Sequence, residues 1–312
     1  MYRLSRLAGA LACVASLAMV GCSATGLAPS TGSTVAQSSA STEWIHGGVL
    51  TPRPHYMATV SAARQAKPDI QLYYYNGPVL VNPTTYYIFW GYKTYGDPDH
   101  VKKLLKAYTK AMGGSGHNNI YTQYYEKVGS KTTYITNPKK QLAGMWEDDK
   151  TPVPTHPTDS QIQQEALLGV AHFGYNANAS YVVATPTGHS SSGFATSWCA
   201  YHGATYSGGK VVSYTNLPYM PDAGGNCGAD FTSPPSDETA TDEGVTIVEG
   251  HEYGESVTDP NPGSGWYNNA YGEIGDICAW QNIQNDPFGS KSYTMQPMFS
   301  NKDGGGSCVQ SD

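Results

Sequence analysis

Residues 84–114, TTYYIFWGYKTYGDPDHVKKLLKAYTKAMGG, set two kinds of structure end to end. TTYYIFWG is aromatic and β-branched, the composition of a pleated and buried strand. After the DPD turn the pattern changes. Val101, Leu104, Leu105, Tyr108 and Met112 recur at helical spacing, with Asp97 or Asp99 placed to cap the start and Gly113 to stop it. A buried strand feeding an amphipathic helix is the repeating unit of a layered α/β or α+β protein.

The alternation continues along the chain. IYTQYYEKV (120–128) and KTTYITN (131–137) read as strands, and TDSQIQQEALLGVAHFGY (158–175) reads as a second amphipathic helix. SYVVATPTG (180–188) gives another strand, and GKVVSYTNLPYMPDAGG (209–225) a further strand or hairpin. A third helix is expected to begin within SDETATDEG (236–244), where Thr239 and Asp242 have capping-box spacing. It should end at Asp259, because Pro260 cannot continue it. Behind it lies a strand-poor tail rich in Gly, Asn and Trp. The expected architecture is a single α/β or α+β domain over residues 72–312, with a central mixed sheet flanked by helices. Residues 46–71 are ambiguous, and MATVSAARQAKPD (57–69) could form a short helix between Pro54 and Pro68.

The 312 residues are 14% charged, with 35 Gly and 24 Tyr, which suits a loop-rich exported protein with a proper core. A net charge of −7 without any basic run excludes a nucleic-acid partner. MYRLSR followed by LAGALACVASLAMV has the form of an export signal over residues 1–22, too short and too rich in small residues for a membrane span. MVGC resembles a bacterial lipobox, which would make Cys22 the lipidated first residue of the mature chain; ordinary cleavage nearby is the alternative. Residues 23–45, rich in Ser, Thr and Ala, read as a flexible tether, so the membrane enters only through a lipid anchor. The four remaining cysteines allow three pairings. Cys199–Cys227 with Cys278–Cys308 is favoured, because each bridge closes a local loop of moderate size.

The chemistry is concentrated in VEGHEYGESVTDP (248–260), which nearly spells the zinc-protease signature H-E-x-x-H with Glu255 in place of the second histidine. On a helix, His251 and Glu255 stand one turn apart on a face shared with Ile247 and Val248, so the pair should point inward. An inward glutamate is costly unless it is paired or bound to a cation. His251 and Glu255 are therefore candidate metal ligands, and Glu252, offset from them, is the candidate general base for an attacking water. Asp259 lies roughly 12 Å along the axis from His251 and reads as a helix-end or supporting residue. Asp276 or Glu273, returned by the Pro/Gly turn, is the expected third ligand, Asp276 ranked first with Glu273 as ligand or supporting acid. His202 in WCAYHG is a weaker site candidate. His46, His55, His100, His117, His156, His172 and His189 lack companions and read as background. Zinc is the expected ion, with manganese, iron or calcium open because two carboxylates and one imidazole make a hard site.

YYNGPVLVNPTTYYIFWG (74–91), WCAYHG (198–203) and ESVTDPNPGSGWY (255–267) resemble the phosphate-induced, EXORDIUM-like proteins, from about Leu72 to the C-terminus. Plant members are secreted and linked to the cell wall. Exported bacterial relatives carry segments like GHEYGESVTDP and GEIGDICAW, which this chain matches at His251, Glu252, Glu255, Asp259, Glu273 and Asp276. The resemblance implies a secreted variant with a zincin-like H-E-x-x-E helix. The functional expectation is an exported metal-dependent hydrolase acting on a peptide or protein, with Tyr201, His202, Tyr267 or Tyr271 available to the oxyanion. The rival is a non-catalytic surface protein that binds cell-wall polysaccharide through its tyrosines and holds a structural metal.

Overall fold

Six strands form the central sheet: β1 (His55–Ala58), β2 (Thr84–Trp90), β3 (Leu142–Asp148), β4 (Ala179–Ala184), β5 (Trp198–Ser207) and β6 (Lys210–Leu217). Their order is β1-β5-β6-β4-β2-β3. The β6-β4, β4-β2 and β2-β3 pairs are parallel, while β5 runs antiparallel to both β1 and β6. The expected central mixed sheet with flanking helices is present. The computed structural model describes residues 44–46, 49–51, 53–63, 70–232, 237–302 and 306–312. The export signal, Cys22 and the tether as far as residue 43 lie outside them.

Three long helices cover the sheet: α1 (Val101–Met112), α2 (Asp159–Phe173) and α3 (Glu243–Thr258). Side chains alternate along each strand, so one row faces each layer. Tyr87, Phe89, Val182, Ala200 and Leu217 pack with Val101 and Leu105 of α1 and with Val245 and Val248 of α3. Ile88, Tyr181, Val183, Tyr201 and Tyr214 point the other way and pack against Ile162, Ala166 and Val170 of α2. The caps follow the sequence. Asp97 accepts from the backbone N–H of Val101 (2.8 Å) and Lys102 (3.1 Å), and Thr158 with Gln161 forms a capping box. At α3, Thr239 spends its hydroxyl on the Asp242 carboxylate (2.6 Å), so the expected cap at that end is absent.

Several expectations change. Residues 46–71 do not hold a helix at Met57–Ala58; those residues belong to β1, at one edge of the sheet, so the folded part begins before residue 72. Trp44–His46 and Val49–Thr51 form a short antiparallel pair, which overlaps the end of the expected tether. Of IYTQYYEKV, only Tyr125–Val128 is extended, and it pairs with Lys131–Tyr134 outside the central sheet. The tail is richer in strands than expected: Gln284–Phe288 pairs with Lys291–Met295, and Met298–Ser300 pairs with Ser307–Val309. Cys199–Cys227 and Cys278–Cys308 are both joined as anticipated, with Cα separations of 5.5 and 5.6 Å. In the chain-entropy account, loops of this size contribute roughly 3–4 kcal/mol each. Two such bridges fit an oxidising, exported environment. No helix among the described residues is long and apolar enough to cross a membrane.

α3 decides where the chemistry sits. All sixteen of its residues are buried. Gly250 and Gly254 weaken an isolated helix by about 1 kcal/mol each relative to Ala. Here they let neighbours close in: a Cβ on Gly250 would lie 2.4 Å from Met295 Cε, and one on Gly254 would lie 3.0 Å from Tyr121 Oη.

A second buried acid lies well away from α3. Glu165 of α2 is 1% exposed, and burial, reinforced by the neighbouring Asp148 carboxylate, raises its pKa to about 8. The unfolded chain releases that proton at its ordinary value of 4.5. The stabilising contribution is therefore complete below that value and is lost as pH rises towards about 8. Glu165→Gln should remove this dependence. Thermal melts of wild type and E165Q should diverge by several degrees in favour of the variant between pH 5 and 8.5, at roughly 2–4 °C per kcal/mol for a domain of this size. A constant gap across that range would refute the assignment.

Candidate metal centre

β1 and β5 are antiparallel neighbours, and His55 stands directly opposite His202. Directly paired residues share a face of the sheet. This face is the one α3 covers, as Met57 and Ala200 in the same rows show. Two imidazoles, with ring centroids 5.9 Å apart, thus lie beneath the helix that carries His251, Glu252 and Glu255.

The turn after α3 brings the remaining acids. The Asp259 carboxylate accepts from the backbone N–H groups of Gly263 (2.7 Å), Ser264 (3.2 Å) and Gly265 (2.7 Å), which ties the turn to the helix end. The chain then passes through Trp266–Tyr267 and reaches a 3₁₀ turn at Asp276–Cys278. Gly275 packs flat on the His251 ring, since a Cβ there would stand 2.7 Å from Nδ1. Glu273 and Asp276 are delivered on either side of that contact.

The three imidazoles converge on Glu255. His251 donates from Nδ1 to Gln296 Oε1 (3.3 Å), whose amide is oriented by donating to the Gly275 carbonyl (2.9 Å). That leaves Nε2 facing Glu255 Oε1 at 3.0 Å. His202 donates from Nε2 to the Asp259 carbonyl (3.2 Å), leaving Nδ1 at 3.4 Å from both Glu255 Oε2 and Glu252 Oε2. His55 turns Nε2 towards Asp276 Oδ2 (3.2 Å) and Nδ1 towards Glu255 Oε2 (3.4 Å). Glu273 closes the set, with Oε2 3.4 Å from His202 Nε2 and Oε1 3.9 Å from His55 Nδ1. His251 and His202 each have one nitrogen directed at a supporting acceptor and the other at Glu255, the pattern by which supporting groups orient metal-binding histidines, while His55 stands between Glu255 and Asp276.

The electrostatics point the same way. His251, His202, Glu252 and Glu255 are inaccessible to water, and solvent reaches the cluster at His55 (31% of the side chain) and Asp276 (17%). Burial, then the charges of Glu255 and Asp276, pushes the Glu252 carboxyl well up. Burial and Asp259 do the same to Glu273. Burial also raises Asp276, to about 6, although His55 opposes it. Burial would raise Glu255 as well, but His251, His202 and His55 outweigh it and hold that carboxyl well below its usual range. Burial lowers His202. His55 is raised to about 10 because Asp276 and Glu255 outweigh burial, and its partial exposure screens those pairs. Four acids facing three imidazoles in a largely buried site need added positive charge, whether protons or a cation.

The donor set fits a cation. The nearest ligand atoms of His55, His202, Glu255 and Glu273 lie within 4.8 Å of one another, as do those of His251, Glu255 and Asp276. In a tetrahedral zinc site with bonds of 2.0–2.1 Å, neighbouring ligand atoms are about 3.3 Å apart. The 3.0–3.4 Å separations between the ring nitrogens and Glu255 match that edge. Neither His251 Nε2 nor His202 Nδ1 has a hydrogen-bond partner, and neither oxygen of Glu273 has one.

The residues expected from the sequence are brought together: His251, Glu252, Glu255, Glu273, Asp276 and His202. Asp259 stands where expected, at the helix end and in support. The choice between Asp276 and Glu273 dissolves, because both reach the cluster: Asp276 faces His55 and His251, while Glu273 faces His202 and the other nitrogen of His55. His55 is a correction: far from background, it touches both Glu255 and Asp276. The signal that could have found it is the alternation in HYMA, which places His55 and Met57 on one face and Tyr56 on the other. His117 also has a companion, the Asp286 carboxylate at 3.1 Å. Tyr201 points to the opposite face of the sheet, against Trp198 and Tyr214, so it cannot serve the site. Set against protein-family models, curated proteins and solved structures, the chain finds no match in any of the three.

A cation bound only by the folded state must stabilise it, by about 2.7 kcal/mol at one hundred times its dissociation constant. Zinc or manganese should raise the melting temperature of EDTA-treated protein by roughly 5–10 °C at that occupancy. His55→Ala should blunt the shift by weakening affinity at least tenfold. An unchanged melt with zinc, manganese and calcium would dismiss the centre.

Proposed function

We propose that this protein is an exported metal-dependent hydrolase that cleaves a peptide bond, with α3 as a zincin-like active-site helix and Glu252 as general base. The observation that carries this reading is the convergence of one nitrogen from each of three imidazoles on Glu255, with Glu252 bordering the same space through His202. His251, Glu255, Asp276, Glu273, His202 and His55 would hold the ion, zinc first on the strength of the H-E pair and the imidazoles. A divalent cation bound there would polarise the scissile carbonyl and ready a water for attack. Glu252 would take the proton from that water and return it to the leaving amine. Its place beside the ligands, on the same helix but directed at His202, suits proton transfer at the edge of the ligand set. The open side, at His55 and Asp276, is where substrate would enter.

The same proposal places the mature chain at the cell envelope, held by a lipid on Cys22, and among bacterial variants of the EXORDIUM-like proteins on the motifs quoted above. Recognition of wall polysaccharide is the second reading. It draws on Tyr73 and Tyr75, which are exposed, Tyr75 stacking on Tyr267 at 4.0 Å. Most of the large fully buried side chains, however, are tyrosines such as Tyr87, Tyr108, Tyr121, Tyr181 and Tyr214. Their abundance is first a property of the core.

Glu252→Gln separates base from ligand. The expected outcome is loss of at least a hundredfold in peptide cleavage, with metal content and melting temperature unchanged. Cleavage at the wild-type rate would eliminate Glu252 as base, and loss of metal would make it a ligand instead.

A further inference from the structure

The two carboxylate oxygens of Glu255 do not serve the same partners. Oε1 faces His251 Nε2 at 3.0 Å and accepts from the Asp276 backbone N–H at 3.2 Å. Oε2 faces His55 and His202, each at 3.4 Å. Beyond Glu255, Asp276 also borders both sets, its Oδ2 oxygen facing His55 Nε2 at 3.2 Å. Glu273 stands with His55 and His202, while the Asp276 Oδ1 oxygen stands with His251 at 3.8 Å. We propose that the centre holds two divalent cations bridged by Glu255, one bound by His55, His202 and Glu273, the other by His251 and Asp276. This inference rests on the metal reading of the site and adds to it the number of ions and the division of the ligands.

Three independent observations support the pair. The first is the split of the bridging carboxylate, since a single ion would draw both sets of imidazoles to one oxygen or to one point between them. The second is the fixing of the rings. His251 and His202 each commit one nitrogen to a supporting acceptor, Gln296 and the Asp259 carbonyl, and each leaves the other without a hydrogen-bond partner in a fully buried place. Those two free nitrogens face opposite oxygens of Glu255. The third is charge. Glu252, Glu255, Glu273 and Asp276 supply four carboxylates around the space, which one divalent ion would half-balance and two would balance fully. Carboxylate-bridged pairs of this kind, about 3.5–4 Å apart, clamp the attacking and leaving oxygens in many hydrolases.

The two halves also differ. Glu273, with both oxygens lacking a hydrogen-bond partner, completes a set of four side chains with Glu255 on the His55–His202 side. The His251 side has three, with Asp276 as its solvent-facing member. The three-ligand half is therefore the one with room for substrate, and the four-ligand half is the more completely held.

Elemental analysis of protein loaded with zinc and dialysed against metal-free buffer should give two ions per chain. His251→Ala and His202→Ala should each retain one. Wild-type protein loaded with manganese should show the electron paramagnetic resonance spectrum of an exchange-coupled pair, a readout that needs no variant to fold. One ion per chain with an uncoupled manganese spectrum would overturn the pair, as would the absence of any bound ion. If one ion supports peptide cleavage, the pair fails while the hydrolase proposal stands. Two coupled ions without cleavage of a peptide library would leave the pair intact and sink the hydrolase.

Discussion

Everything in the described fold accommodates a helix with no exposed side that nonetheless carries Glu249, His251, Glu252 and Glu255. Isolated charges in that position would destabilise the fold by several kcal/mol each, so every one must find a counterpart within the protein or bring one in. Glu249 is met by the Tyr87 hydroxyl at 2.7 Å, from the sheet. The other three turn towards β1, β5 and the segment after α3. Where β5 lies in the sheet, where the chain turns back at Asp259, and why Gly275 lacks a side chain all follow from bringing imidazoles and acids to one side of that helix.

Much of this was legible because local pattern and final structure agree. The strand at Thr84–Trp90, the caps of α1 and the stop at Pro260 each depend on residues close together in sequence, and the two disulfides close loops of moderate size, with partners 28 and 30 residues apart. His251, Glu252 and Glu255 could be read together because helical periodicity is local. What was not legible depends on distant pairing. The alternation in HYMA becomes a signal only once the segment is known to be an edge strand, and the meaning of His55 is fixed by its register with His202, far along the chain. The same holds for β5. Its alternation assigns His202 to the helix side and Tyr201 to the opposite face, which no spacing within WCAYHG reveals without knowing that it is a strand.

The division between Glu273 and Asp276 has a comparable origin. Spacing showed that both could reach the helix, and a single-ion picture made them competitors. From the 3₁₀ turn Asp276 reaches the Nε2 atoms of His55 and His251, and Glu273 reaches His202 Nε2 and His55 Nδ1, so two residues three apart in sequence meet different nitrogens. Asp259 holds the earlier turn, directly after α3, with its carboxylate, which gathers the N–H groups of Gly263, Ser264 and Gly265, and receives the His202 ring on its carbonyl.

The two disulfides lie beside the segments that complete the cluster. Cys199 is three residues before His202 on β5, and Cys278 is two residues after Asp276. In the reducing cytoplasm those thiols stay apart, and the histidine and the aspartate lack the crosslinks that anchor their segments. On the proposed export, crossing the membrane would act as a chemical clock: the two crosslinks that anchor these segments would close only after the polypeptide has left the reducing compartment.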